Sequence, residues 1–147
     1  MIDIVFVPSV RKGNGSGHLI RCFGLANSLG SRAAVYLPEE PGTESWSSDE
    51  LRLAYPRELS SVRVIESLSP QDRFAWIILD NRETTRHELL HWASHGAVIA
   101  IDEGGEARFG VDYLVDILPG LPSVERRRIA ANSASLGYLA PVSYTHL

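Results

Sequence analysis

The chain has 147 residues, 44% of them hydrophobic, which suits one globular domain of ordinary size. Its 14 basic and 18 acidic residues give a formal charge of −4, without the clustered Lys and Arg excess that a nucleic-acid backbone demands. Cys22 is the single cysteine, so no internal disulfide forms and a reducing compartment is expected.

The opening MIDIVFVPSVRKG puts its apolar run ahead of its basic residues, the reverse of a signal peptide. No stretch approaches the ~20 apolar residues that span a bilayer. These features together predict a soluble cytoplasmic protein with no nucleic-acid partner and no membrane span. Within that opening, Ile2 to Val7 (IDIVFV) is a β-branched run that predicts a buried strand. After the glycines, Leu19, Cys22, Phe23, Ala26 and Leu29 fall at helical spacing, with Gly30 as the stop. Ala33 to Leu37 (AAVYL) predicts a second strand. Residues 38–61 are polar and broken by proline, with at most a short helix around Asp49–Tyr55.

Val62 to Ile65 is a weak third strand, and Trp76 to Leu79 (WIIL) and Val98 to Ile101 (VIAI) are strong central ones. Between these two, Thr84 or Thr85 caps a helix to about His95, with Leu89, Leu90, Trp92 and Ala93 as apolar positions. Tyr113 to Leu118 (YLVDIL) completes the set of strands. Further on, Arg126-Arg127-Arg128 reads as a solvated helix face. Strands alternating with helices imply βαβ units, hence an α/β, Rossmann-like, doubly wound parallel sheet. Such sheets collect ligands outside the carboxyl ends of their strands.

Two segments on that rim carry chemistry. The first is GNGSGHLIRCFGLA at residues 13–26. It fails the dinucleotide pattern G-x-G-x-x-G, because His18 or Ile20 stands where the last glycine belongs. It also lacks the Gly-Lys-Ser/Thr of a P-loop. Bare backbone at Gly15 and Gly17 leads into a helix start that favours anionic oxygens. His18 falls in the first turn, where the positive helix end disfavours imidazolium, so a neutral general base is expected. Arg21, one turn on, faces an anionic group. The bland alternative is a turn with a histidine that caps its own helix.

The second is the pair of acidic strand ends. Asp80-Asn81-Arg82 follows WIIL, and Asp102-Glu103-Gly104-Gly105 follows VIAI. Asp80, Asn81, Asp102 and Glu103 are candidates for holding sugar hydroxyls or orienting a catalytic histidine, against the plain role of ending strands and capping helices.

His87-Glu88-Leu89-Leu90-His91 matches H-E-x-x-H, the zinc-peptidase pattern, and His95 adds a third histidine on that face. Ser94 and Ala97 stand where the extended motif has Gly and His. A surface histidine row is the competing reading, and no metal is expected.

Gly15–Ala26 (GSGHLIRCFGLA) resembles the G-x-G-H-x-x-R-C-x-x-L-A signature of a family of UDP-sugar hydrolases and glycosyltransferase-like proteins. That family includes the UDP-2,4-diacetamido-2,4,6-trideoxy-sugar hydrolase of pseudaminic acid biosynthesis and spore-coat polysaccharide proteins. ILDNRET (Ile78–Thr84) and IAIDEGGEARFGVDYLVDILP (Ile99–Pro119) resemble its later strand-end segments, whereas Glu39–Ser61 carries little likeness. The resemblance implies a GT-B architecture of two Rossmann-like domains, of which residues 1–141 are the first. It implies that His18 activates the water that attacks the anomeric carbon of a UDP-sugar, with no cofactor. It also implies that most uridine-diphosphate contacts lie in a second, C-terminal domain that this chain lacks. A transferase with a sugar hydroxyl as nucleophile and a non-catalytic binding module remain the alternatives. Val142–Leu147 (VSYTHL) back-translates to GTC TCT TAT ACA CAT CT, the end of a transposon-based sequencing adapter. The native sequence of this fragment is therefore expected to stop near Pro141, the alternative being a genuine tail.

Overall fold

The β-branched runs form strands, and all of them join one sheet. A computed structural model describes residues 1–117. The elements are β1 (Ile4–Pro8), α1 (Gly17–Leu29), β2 (Ala33–Tyr36), α2 (Ser48–Ala54), α3 (Pro56–Leu59), β3 (Arg63–Ile65), β4 (Trp76–Asp80), α4 (Arg86–Ala93), β5 (Ala97–Ile101) and β6 (Tyr113–Val115). The six strands pair in parallel in the order β3-β2-β1-β4-β5-β6. That is the strand order of a Rossmann-like, doubly wound sheet.

Alternation along each strand divides the apolar side chains between two cores. Phe6 and Val35 face α1, α2 and α3, where Leu19, Cys22, Phe23, Ala26, Leu51 and Leu59 cover them. Val5, Val7, Ile77, Leu79, Val98 and Ala100 face the other way, against Leu89 and Trp92 of α4. Burial on both faces is why these strands read as continuous apolar runs rather than alternating ones.

Local chemistry sets the helix ends. In α1, residues 19, 22, 23 and 26 make the buried stripe. The helix stops at Gly30, whose N–H donates to the Ala26 and Asn27 carbonyls and whose φ of 67° turns the following chain out of the helix. Both α2 and α4 begin with reciprocal capping boxes, Ser47 with Glu50 and Thr85 with Glu88.

Several boundaries differ from expectation. The α4 cap is Thr85, one of the two threonines expected, but the helix ends at Ala93 rather than near His95. There the chain passes Phe74 so closely that a Cβ on Gly96 would sit 2.4 Å from the Phe74 carbonyl oxygen. Pro56 opens a further short helix, α3, as suits a proline at the first helical position. Leu29 and Leu90 are exposed, outside the core stripes. β1 is displaced toward Pro8, which stays in register with Asp80. Leu118, Arg126–Arg128 and Val142–Leu147 lie outside the described residues.

Candidate functional site

β1 and β4 are neighbours, yet the helices that follow them pack on opposite faces of the sheet. The crevice at their carboxyl ends is the switch point of the fold. Two different arrangements of side chains occupy its two sides.

On the α1 side stands a charged cluster. Leu79 faces the α4 core, so the next residue, Asp80, turns toward α1. Asp80 is fully buried, and its carboxylate is surrounded by donors. His18 Nδ1 lies 2.6 Å from Oδ1, Arg21 Nη2 donates to Oδ1 at 2.7 Å, and Arg21 Nε donates to Oδ2 at 2.6 Å. Residues three apart share a helix face, which is how α1 delivers both groups to one carboxylate. Burial alone would push the Asp80 carboxyl up. The hydrogen bonds from Arg21 and His18, with the charge of Arg21, outweigh it and hold the group below its ordinary range.

An ionised Asp80 obliges His18 Nδ1 to carry the proton. In the neutral ring this leaves the lone pair on Nε2, which has no partner among the described residues. The His18 side chain retains 13% of its exposure. The arrangement is a carboxylate–imidazole dyad with its basic nitrogen turned away from the carboxylate. The sequence pointed to the helix end as the group acting on His18, whereas the charged side chain that touches the ring is Asp80, itself paired with Arg21.

Arg21 therefore faces the protein's own carboxylates, with Nη1 also 3.5 Å from Asp102 Oδ2. Hydrogen bonding to Asp80 raises its already high pKa. Asp102 leaves β5 with a φ of 48°, a left-handed conformation that Asp tolerates, and its Oδ1 accepts the Ile117 N–H at 2.6 Å. Cys22 donates weakly to Asp80 Oδ2 at 3.9 Å. Burial and the neighbouring Asp80 push its thiol well above the ordinary value, so it is not a thiolate nucleophile.

Glu103 goes elsewhere. It is buried, and its carboxylate ties the β4–α4 loop to the β5–β6 loop. Oε2 accepts the backbone N–H groups of Thr84 and Gly105 at 2.7 and 2.8 Å, and Oε1 accepts the Thr84 hydroxyl at 2.7 Å. Burial raises its pKa, partly offset by those three bonds. Arg108 backs this clasp by donating to the Glu103 carbonyl and pairing twice with Asp116, all in the interior. Gly105 serves the same closeness, since a Cβ there would lie 2.9 Å from Thr84 N.

On the α4 side lies a cavity of about 490 Å3, lined in part by Ser9, Asn14, Tyr36, Asn81, Glu88 and Trp92. Asn81, expected to touch substrate, lies here, whereas His18, Arg21 and Asp80 do not line it. Ser9, Asn14 and Tyr36 were not singled out in the sequence, and Trp92 was read there only as an apolar helix position. Only the rule that strand ends face the ligand crevice would have pointed to Ser9 and Tyr36. Gly15 borders a smaller hollow of about 210 Å3 with Lys12, Leu19 and Trp46. Gly15 has a φ of 76°, which favours glycine, and Gly17 begins α1 in open space.

The His91 and His95 rings meet edge to face with centroids 5.2 Å apart, and the other partners of the H-E-x-x-H segment are internal ones. Glu88 caps its own helix at Thr85 N and reaches Asn81, while His95 lies beyond the helix end with Nδ1 at the Asp72 carbonyl. Among the described residues no group of three His, Cys, Asp or Glu side chains is placed to hold a metal. No helix among them is long and apolar enough to cross a membrane.

No protein-family model, curated protein or solved structure matches the chain.

Proposed function

We propose that the chain is the first domain of a two-domain nucleotide-sugar hydrolase in which His18 is the general base. The observation that carries this reading is the His18 Nδ1 to Asp80 Oδ1 contact of 2.6 Å, on a carboxylate that Arg21 also clamps. Buried carboxylates that fix a histidine tautomer are the means by which a neutral imidazole is presented as a proton acceptor. The Gly-His-x-x-Arg-Cys resemblance supplies the substrate class.

In this reaction His18 Nε2 removes a proton from water as the water oxygen bonds to the anomeric carbon. The bond from that carbon to the β-phosphate oxygen breaks, and UDP departs with the electron pair. Asp80 stays ionised and stabilises the imidazolium that forms. Replacing water by a sugar hydroxyl converts the same step to glycosyl transfer, so product analysis distinguishes the two.

The test is incubation of a UDP-sugar with the two-domain protein, without acceptor. Release of free sugar and UDP is expected, with His18→Ala lowering kcat by about 10²–10⁴-fold. Turnover within about twofold of wild type in that variant overturns the base assignment. Absence of any turnover with UDP-sugars favours a binding module instead.

A further inference from the structure

The histidines of α4 take no part in the site at the strand ends, yet two of them are brought together. Ser94 keeps helical dihedrals (φ −71°, ψ −14°) just past the end of α4, so His95 falls one turn beyond His91. The two rings meet with centroids 5.2 Å apart. His95 is 3% exposed, and its ring is held from outside the helix. A carbonyl oxygen only accepts, so His95 Nδ1 donates to the Asp72 carbonyl at 2.7 Å. The Phe74 N–H donates in turn to the His95 carbonyl, also at 2.7 Å. In the neutral ring the lone pair then sits on Nε2. Neither that nitrogen nor either nitrogen of the His91 ring has a hydrogen-bond partner among the described residues. A backbone carbonyl on Nδ1 is a common support of metal-ligating imidazoles, because it fixes both the tautomer and the ring orientation.

The spacing of the rings fits one ion between them. Two imidazoles that each give one nitrogen to a tetrahedral ion, at about 2.0–2.1 Å, have their centres about 5 Å apart. His91 is exposed, so its ring is the one that turns to complete the pair. The nearby carboxylates that a hard cation would require are engaged, Glu88 on the Thr85 N–H and Asp72 on the Ser69 N–H. Imidazole without carboxylate suits Zn2+, Ni2+ or Cu2+ and not Mg2+ or Ca2+. We infer that His91 and His95 form a two-imidazole site for a divalent transition-metal ion, with water completing the coordination shell. The site is not that of a zinc peptidase, because Glu88 caps its own helix and His87 is not one of the two ligands. Its ion joins the last turn of α4, through His95, to the segment before β4 at Asp72 and Phe74. The inference is independent of the base assigned to His18, because α1 and α4 pack on opposite faces of the sheet.

The test is an NMR titration of the untagged 147-residue chain with ZnCl2, and with MgCl2 as the comparison. It is run at about pH 7.5, above the ordinary imidazole range. The ring signals of His91 and His95 are expected to shift together and to saturate at one ion per chain, while the His18 ring signals and the MgCl2 spectra stay in place. His91→Ala, at an exposed position and checked for retained signal dispersion, weakens Zn2+ by about tenfold or more. His87→Ala and His18→Ala leave the affinity within about twofold of wild type, so loss of the base and loss of this site are separable results. The proposal is overturned if millimolar ZnCl2 gives no saturable shift at these two rings, or if MgCl2 produces the same shifts. It is also overturned if His91→Ala binds Zn2+ like wild type, or if His87→Ala or His18→Ala loses the ion as His91→Ala does.

Discussion

Replacing Asp80 by Asn removes one charge from a fully buried position and places an amide N–H2 where Arg21 or His18 now donates. Breaking a buried, hydrogen-bonded ion pair from one side costs about 3–5 kcal/mol. Here the Arg21 side chain is 28% exposed and keeps Asp102 at 3.5 Å, so water and a second carboxylate recover part of the loss. A destabilisation of about 2–3 kcal/mol at neutral pH follows. Because the Asp80 carboxyl is held below its ordinary range in the folded protein, its contribution is complete above the unfolded-state value. It is lost as pH falls through the folded-state value. The raised Glu103 has the opposite sign, but it is common to both proteins and cancels in the difference. Urea unfolding followed by tryptophan fluorescence, at neutral pH and at successively lower pH, reads the gap directly. It should stand at about 2–3 kcal/mol near neutrality and close below the carboxylate range. A variant within about 0.5 kcal/mol of wild type at neutral pH, or a gap that does not change with pH, refutes the buried-clamp reasoning.

Arg108→Met leaves Asp116 and the Glu103 carbonyl without their donor in a site where both side chains of the pair are 2% exposed. It should lower stability by about 3–5 kcal/mol, and an unchanged thermal midpoint contradicts this. Gly105→Ala puts a methyl 2.9 Å from Thr84 N and 3.0 Å from Glu83 Cα, whereas the nearest atom to a Cβ on Gly104 is 3.6 Å away. The first substitution should cost about 1–3 kcal/mol and speed hydrogen exchange at Thr84 N–H, with little effect from the second. Equal exchange rates in the two variants rule out the backbone contact as the cause.

Much of the frame was legible in local sequence. Runs such as WIIL and VIAI have no polar residue to face water, which marks strands covered on both sides. The 19, 22, 23, 26 spacing and the Gly30 stop define α1. The pairing of His18 with Asp80 was nameable only as one option among several, because the two residues are 62 positions apart. Whether Asp80 meets the histidine, a ligand or solvent depends on which face it turns to. That follows from the register of β4 against β1, which no local pattern records. The same holds for Glu103, whose inward turn needs the Thr84 loop beside it. The identical residue type on an open loop would have stayed in water.

Periodicity and capping act within a few residues, so the chain by itself determined its strands, its helices and the acidic ends that its edge would carry. Strand order, facing and close approach of loops arise from packing between distant segments. Only the folded structure therefore decided that Arg21 meets Asp80 rather than an external anion, that the His95 ring is tied to the Asp72 carbonyl, and that a polar cavity opens beside Asn81.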